Sequence, residues 1–220
     1  MIEEIDIPEI TDGYVDSRTD EEREADSKIE TTKTTTTTAT EAMVEETNNN
    51  SPISILDRIV PPHTKKSRKV TNEDLDRVVK DAPIMYQLCV TRVGLYTGAY
   101  AVHHSQIDDQ DPLDFFVTSG YGIIINPEVT KHSNYTRDSK EACVTFADKE
   151  QIIVQRWQKM VVEYQTIMTD PQDKTKFKLS MVIEEDMSGR QAVIFQHEIC
   201  HGQGKYIYSI EDKNLTKPSL

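Results

Sequence analysis

The sequence predicts an α+β fold, and three features of the chain indicate it. Apolar residues recur with the 3.6-residue period of a helix over residues 72–89. Runs typical of strands follow between residues 115 and 179. A second helical segment without a helix breaker covers residues 190–199. Because helices and strands are segregated along the chain, with no strand–helix–strand alternation, the predicted class is α+β rather than α/β.

The composition divides the chain into an acidic tail and a domain. The 220 residues carry a formal charge of −13. Residues 1–52 hold 15 acidic and 4 basic residues, whereas the rest of the chain holds 23 and 21. The tail is rich in Thr and Asn and has little apolar surface to bury, so we expect it to be disordered. A short docked segment within residues 2–10 is the alternative. We expect the folded domain at residues 53–220.

Within the domain, an extended segment precedes the first helix. Residues 53–56 predict a strand or extended segment, and Thr71 or Asn72 can cap the helix that follows. The apolar positions of this helix are Leu75, Val78, Val79, Ala82, Met85 and Cys89. Pro83 lies inside the pattern, so we expect a kink or a division there, because proline lacks the N–H that a helix interior donates.

Several strands are expected after this helix. They are placed at residues 115–118, 121–125, 152–154, 159–168 and 174–179. Pro127 should end the second strand, and residues 171–173 should form a turn. We interpret residues 184–189 as a loop leading into the C-terminal helix, which should end near Gly202.

The C-terminal helix contains the pattern Gln196-His197-Glu198-Ile199-Cys200-His201. Two histidines four residues apart lie on one face of a helix, so both imidazoles can bind one metal ion. Glu198, beside the first histidine, is then placed to take a proton from a metal-bound water, which is the chemistry of a hydrolase. Such a pattern also arises by chance, so a third ligand is needed to support a metal site.

The third ligand is expected upstream of the helix. No histidine follows His201, and the only later acids are Glu211 and Asp212. Cys143 is therefore the candidate. One thiolate and two imidazoles would leave the fourth tetrahedral position open for water, as in catalytic zinc sites.

Taken together, these segments resemble the peptide deformylase family. The resemblance rests on Gln-His-Glu-x-x-His at residues 196–201, Glu-Ala-Cys-Val-Thr at 141–145, Ile-Asn-Pro-Glu at 125–128 and Val-Gln-Arg at 154–156. It covers residues 53–215, including the long first helix. It implies antiparallel sheets around a central metal-bearing helix. It also implies Cys143, His197 and His201 as ligands of one divalent ion, iron(II) or zinc.

The resemblance further implies a reaction and its residues. The reaction is hydrolysis of the formyl amide of N-formylmethionyl peptides, with release of formate. The implied partner is a formyl-methionine peptide or the N-terminus of a nascent chain at the ribosome. Glu198 would pass a proton to the leaving amine, and the Val144 N–H would donate to the carbonyl oxygen. Glu141 would pair with Arg156 and fix the segment that carries the cysteine.

The family's first motif, Gly-x-Gly-Leu-Ala-Ala-x-Gln, is altered here; in the family, its Gln donates to the carbonyl oxygen. One register matches Gly98 and places His103 at the Gln position, whereas the other matches Gly94 and leaves Ala99 there, without a donor. We prefer the first register, because the spacing from His103 to the cysteine motif better suits the family. We therefore expect an active but slower metallohydrolase. The alternative is a catalytically weakened deformylase-like domain that acts as a structural or binding module through its tail.

Other classes of function are not indicated. The domain has no long basic stripe, so direct nucleic-acid binding is not expected. No apolar run reaches about 18 residues and no signal-peptide pattern is present, so membrane insertion and secretion are not expected. Three cysteines do not make a disulfide framework. We expect a monomer in the cytoplasm of a bacterial or phage-infected bacterial cell.

Overall fold

The computed structural model describes residues 3–5, 55–90, 99–173 and 175–208. Its elements in chain order are β1 (Glu3–Ile5), α1 (Leu75–Val90), β2 (Ala101–His103), β3 (Phe115–Thr118), β4 (Gly122–Ser133), β5 (Thr136–Glu141), β6 (Ile152–Trp157), β7 (Lys159–Gln165), β8 (Ile167–Thr169), β9 (Phe177–Leu179), β10 (Ile183–Ser188) and α2 (Gly189–Gly202). Short 3-10 helices lie at Ile55–Arg58, Asn72–Asp74, His104–Gln106 and Val144–Phe146. The predicted α+β class is confirmed.

Six of the described strands form one sheet. Its order is β10-β7-β4-β3-β2, and β1 pairs with β4 outside this path. The β1–β4 pair is parallel, and the other pairs in the sheet are antiparallel. Two smaller antiparallel sheets, β5-β6 and β8-β9, complete the described β structure.

The two helices cover opposite faces of β3. Phe115 and Val117 pack in the cluster that contains α1, whereas Phe116 packs in the cluster that contains α2. This alternation follows from the period of two along a strand. Phe116 meets Phe195 of α2 edge to face, with ring centroids 5.0 Å apart. Full burial of a side chain of this size stabilises the fold by about 1.5–3 kcal/mol, so these contacts hold α2 against the sheet.

The first helix forms as predicted, and proline does not divide it. Asp74 Oδ2 accepts a hydrogen bond from the Thr71 N–H at 2.8 Å and caps the first turn. Pro83 lies inside the continuous helix α1. Its missing N–H removes one backbone hydrogen bond, but core side chains on both sides of it hold the helix in place. These side chains are Leu75, Val78, Ala82, Met85 and Leu88.

β4 continues past Pro127, so the predicted end of this strand is wrong. The register against β7 shifts between Ile125 and Glu128, which is a bulge. Asn126 within it has φ 54°, and its side chain bonds the backbone N–H and C=O of Val70 at 2.7 and 2.9 Å. The strand therefore passes the proline because the bulge moves that residue out of the hydrogen-bonded ladder.

Further segments differ from the prediction. The strand expected at 159–168 is divided into β7 and β8, the one expected at 174–179 is shortened to β9, and β2 and β5 form where no strand was expected. Ile55–Arg58 is a 3-10 helix rather than an extended segment, and residues 53 and 54 lie outside the described residues. Ile183–Ser188 is strand β10, where a loop was expected. Its backbone pairs with β7, yet Met187 is its only buried residue. A strand that hides a single side chain lacks the apolar alternation from which strands are predicted.

The predicted tail is described only at β1. Glu3, Glu4 and Ile5 pair with Lys131, His132 and Ser133 of β4, in agreement with the docked alternative for this short segment. The other residues of the tail lie outside the described residues, and the division at residue 52 stays a prediction. Within the described ranges, none of the helices has the length and apolar character needed to cross a membrane.

The second helix begins where the sequence predicts and is fastened to β6. Ser188 is the extended N-cap residue, and Gly189 has φ 57°, which glycine adopts without strain. Gln196 accepts a hydrogen bond from the Trp157 N–H at 2.9 Å and donates one to the Trp157 carbonyl at 3.1 Å. Because Gln196 adjoins His197, this double contact fixes the histidine pair relative to β6.

Candidate metal centre and active site

Three predicted ligands converge in the structure. His197 and His201 lie one turn apart on α2, with ring centroids 4.9 Å apart. Cys143 is buried and directly precedes the 3-10 helix Val144–Phe146. The ligand atoms of these three residues all lie within 4.8 Å of one another. Helix geometry brings the histidines together, whereas the cysteine is brought to them by the tertiary fold.

The donor set fits a divalent metal ion. Cys143 Sγ lies 3.4 Å from His201 Nε2. Two such donors bound to one zinc at about 2.3 and 2.1 Å with a tetrahedral angle would lie about 3.6 Å apart. His197 Nδ1 lies 2.9 Å from Glu141 Oε2. Because a carboxylate only accepts, Nδ1 carries the proton and Nε2 is left to bind the ion.

The carboxylate behind His197 is held by a buried arginine. Arg156 Nε and Nη2 donate to the two oxygens of Glu141, each at 2.8 Å. Both side chains are buried, at 0% and 6% relative exposure. Burial would raise the pKa of Glu141, but the hydrogen bonds from Arg156 and His197 outweigh it and lower that pKa to about 2. The carboxylate is therefore ionised at neutral pH and orients the His197 ring. Arg156 Nη1 also lies 3.6 Å from Cys200 Sγ, which is packed within α2.

Glu198 lies beside the ligands but does not belong to the cluster of three. It is 4% exposed and lines the same cavity as Cys143 and His197. Burial raises its pKa to about 7, and its Oε2 has no hydrogen-bond partner among the described residues. A carboxyl group that titrates near neutral pH can both accept and return a proton.

The centre opens into a cavity of about 430 Å³, a size typical of ligand pockets. Its lining near the ligands includes Val144, which starts a 3-10 helix. Backbone N–H groups at the start of a helix lack partners within that helix. The apolar part of the lining is made by Ala99, Ala101, Val193 and Ile194. Tyr100 lies at the mouth and is 52% exposed.

Gln106 also reaches this centre. Its Oε1 accepts a hydrogen bond from the His103 N–H at 2.8 Å. Because the amide oxygen faces that N–H, the amide nitrogen faces the centre. Nε2 lies 2.9 Å from Thr145 Oγ1 and 3.5 Å from Cys143 Sγ. Gln106 thus places an N–H donor beside the cysteine, at the wall of the cavity.

Comparison with known proteins assigns the chain to a family. The model of the polypeptide deformylase family matches residues 33–215. The chain belongs to the polypeptide deformylase family. The match begins inside the predicted tail, earlier than the resemblance over residues 53–215.

Two curated deformylases and one solved deformylase structure are similar to the chain. Peptide deformylase 1 of Bifidobacterium longum is 30% identical over 130 residues, which make up 59% of this chain and 54% of that protein. The peptide deformylase of Bifidobacterium adolescentis is 32% identical over 132 residues, 59% of this chain and 55% of that protein. The chain thus spans about half the length of the curated relatives it matches. The class I type b peptide deformylase of Acinetobacter baumannii has a similar fold, with a TM-score of 0.51 at 19% identity, over 68% of this chain and 98% of that one.

The structure does not bring His103 to the candidate site, so the preferred register of the family's first motif needs correction. His103 is fully buried and does not line the cavity. Its Nδ1 accepts a hydrogen bond from the Ser105 N–H at 3.1 Å, and its Nε2 lies 3.5 Å from Asp114 Oδ1. Burial lowers its pKa. Nδ1 is bonded to Ser105, and Nε2 has no hydrogen-bond partner among the described residues although it lies near Asp114. Gln106 is the residue beside Cys143.

A third register of the deformylase motif would have revealed Gln106. If Gln106 is matched to the motif's Gln, Ala99 and Ala101 fall on its two glycines and Val102 falls on its leucine. The two registers given in the sequence analysis each match one glycine of the motif and have a residue other than glutamine at its Gln position. The motif is better aligned on its Gln, which carries the functional group, because alanine can replace a glycine wherever φ is negative.

Proposed function

We propose that this chain hydrolyses the formyl amide of N-formylmethionyl peptides with the help of one divalent metal ion. The observation that carries the proposal is the convergence of Cys143, His197 and His201. Two of these residues, Cys143 and His197, line one cavity together with Glu198 and Gln106. The proposed ion is iron(II) or zinc, because thiolate and imidazole donors suit both. The proposed substrate is a formyl-methionine peptide, including the N-terminus of a nascent chain at the ribosome.

The ion and Glu198 have separate tasks in this proposal. An ion bound by the three ligands would supply Lewis-acid chemistry and lower the pKa of a coordinated water toward neutrality. Glu198 would accept a proton from the attacking water on its free Oε2 and return it to the leaving amine. Burial raises the pKa of Glu198 in the site without an ion. A bound divalent cation would lower it again, which favours the ionised form that accepts the proton.

Gln106 and Val144 would stabilise the carbonyl oxygen as it gains negative charge. The Gln106 amide nitrogen already faces Cys143, and Val144 is the first residue of its 3-10 helix. Preorganised N–H donors at such a position contribute more in a closed cavity than in water. The apolar side chains Ala99, Ala101, Val193 and Ile194 would accommodate the uncharged methionine side chain.

One assay tests the proposal as a whole. Metal-loaded protein should release formate from formyl-Met-Ala-Ser, lose that activity when a chelator removes the metal, and regain it when iron(II) or zinc is restored. Metal analysis of the same sample should give about one ion per chain, because the three ligands bind a single ion. A sample with one ion per chain and no formate release would instead favour a deformylase-like binding module.

A second prediction separates Gln106 from His103. Gln106→Glu keeps the acceptor for the His103 N–H but removes the N–H donors, so we expect kcat to fall about 10²–10³-fold, as for loss of an oxyanion donor. Gln106→Ala should show a loss of similar size without introducing a charge. Formate release and bound metal are measured for each variant. Unchanged kcat in both variants, with metal retained, would show that Gln106 is not the donor.

A further inference from the structure

The mouth of the active-site cavity is cationic. Its charged lining residues, besides the buried Glu141 and Glu198, are Arg137, Lys140 and Arg190, all of them exposed. Glu141 is already neutralised by Arg156. The exposed rim of the cavity therefore presents three positive side chains and no negative one.

Within the described residues, these three cations have no carboxylate as an ion-pair partner, whereas Arg68 and Arg77 are each paired with nearby aspartates. Arg137 and Glu141 lie on the same face of β5 as Ser139, because strand residues alternate. Asp138 and Lys140 share the opposite face, where Asp138 bonds Gln155. Lys140, next to Glu141 at the end of the strand, nevertheless lines the cavity. Arg137, which precedes Asp138 in the sequence, thus remains free to bind a ligand.

Arg190 is held in position at this rim. Its guanidinium lies 3.7 Å from the centroid of the Tyr100 ring, which is a cation–π contact. A side chain restrained in this way loses less conformational entropy when it binds a carboxylate. The contact with Tyr100 therefore restrains Arg190, which would otherwise move freely in solvent.

A neighbouring cavity extends the cationic surface. It is lined by Arg137, Gln158, Lys159, Ser188 and Gly189, so Arg137 belongs to both cavities and no acid lines the second. A peptide that leaves the catalytic cavity past Arg137 would next meet Lys159. An extended chain advances about 3.3 Å per residue, so successive substrate residues would face successive cations.

We propose that this rim is a subsite for acidic side chains that follow the formyl-methionine of the substrate. The inference rests on the proposed deformylase function. The formyl group must reach Cys143, His197 and Glu198, which leaves the second and third substrate residues at the mouth. The chain as a whole is negative, at −13. Beyond about 10 Å, however, charges are largely screened at 0.1 M salt, so the nearby cations determine the local preference.

The test compares three peptides that differ in the second and third residues: formyl-Met-Asp-Glu, formyl-Met-Ala-Ser and formyl-Met-Lys-Lys. At about 0.1 M salt, where the net charge of the chain is screened, we expect kcat/KM to be about tenfold higher for the acidic peptide than for the neutral one, and lowest for the basic peptide. The preference should largely disappear at about 0.5 M salt, where screening acts over about 4 Å. Combined Arg137→Glu, Lys140→Glu and Arg190→Glu changes should reverse the order. Lys80→Glu, an exposed charge change on α1 that does not line the cavity, should leave the order unchanged.

A binding measurement keeps this inference separate from the proposed function. Calorimetry on metal-loaded Glu198→Gln protein reads the affinity for each peptide without turnover. A preference for the acidic peptide that the rim changes reverse would support the subsite, even in a protein that releases no formate. Equal affinity for the acidic and neutral peptides at about 0.1 M salt would overturn it, even in an active deformylase. A preference that survives the three rim changes would overturn it as well.

Discussion

Replacing Glu198 with Gln is expected to lower formate release by about 10²–10⁴-fold, the usual contribution of a positioned general acid–base group. The amide keeps the size of the side chain but cannot accept the proton. The buried Oε2 has no hydrogen-bond partner among the described residues, so the substitution should disturb few existing contacts. Bound metal should stay near the parent value, because Glu198 is not one of the three converging residues.

Cys143→Ala provides the contrasting variant. It removes the thiolate that lies 3.4 Å from His201 Nε2, so we expect bound metal and turnover to be lost together. Metal content and formate release are measured on the same preparations, with circular dichroism to verify folding. If Glu198→Gln loses its metal as Cys143→Ala does, Glu198 is a ligand or its support rather than the proton acceptor.

The histidine pair of the candidate metal site can be predicted from local sequence. His197 and His201 are four residues apart on one helix, so helix geometry alone places both rings on the same face. Cys143 needs more than local geometry, because it lies 58 residues from His201 in sequence. Its prediction came from the absence of later ligands and from the resemblance to the deformylase family. The structure shows the convergence, and the ligand roles await the variants above.

Local spacing does not identify Gln106, although a register of the family motif aligned on that residue does. Its contact with Cys143 spans 37 residues and depends on a 3-10 helix, His104–Gln106, that directly follows β2. The two histidines in front of it attract attention as chemical groups. One of them, however, is buried against Ser105 and Asp114, and the other lies 3.1 Å from Asp81. Burial and partner choice are properties of the tertiary structure, and they decide which polar side chain reaches the cavity.

The strands also differ in how well the sequence predicts them. β3 was predicted correctly because it is fully buried and begins with the apolar run Phe115, Phe116 and Val117. β10 was missed because it pairs on one side only and hides one side chain, Met187. β4 was ended too early at Pro127, because the bulge that accommodates the proline depends on Asn126 bonding to Val70, 56 residues away. Strand pairing at such positions is set by backbone partners that side-chain periodicity does not report.

Arg156→Ala is expected to lower the free energy of unfolding by about 3–5 kcal/mol, because it leaves the Glu141 carboxylate buried without its partner. The pair is bidentate and both side chains are almost completely buried. Removal of the Arg156 side chain should also weaken the candidate metal site, because Glu141 orients His197 through Nδ1. Metal affinity should fall about 10–100-fold, as for removal of other partners of metal-binding histidines. Urea unfolding and competition with a metal chelator measure the two effects.

Arg68→Ala is the matched control, because Arg68 also binds a carboxylate through two nitrogens. Its Nη1 and Nη2 lie 2.9 and 2.7 Å from the oxygens of Asp74, but the Arg68 side chain is 47% exposed. We expect this change to cost less than about 1 kcal/mol and to leave metal affinity unchanged, because Arg68 is exposed and Asp74, which is 11% exposed, keeps its hydrogen bonds from the N–H and hydroxyl of Thr71. The two arginines thus differ mainly in burial and in what lies behind the carboxylate. Equal and small losses for both variants, with metal affinity preserved, would mean that the Glu141–Arg156 pair neither stabilises the fold nor orients His197.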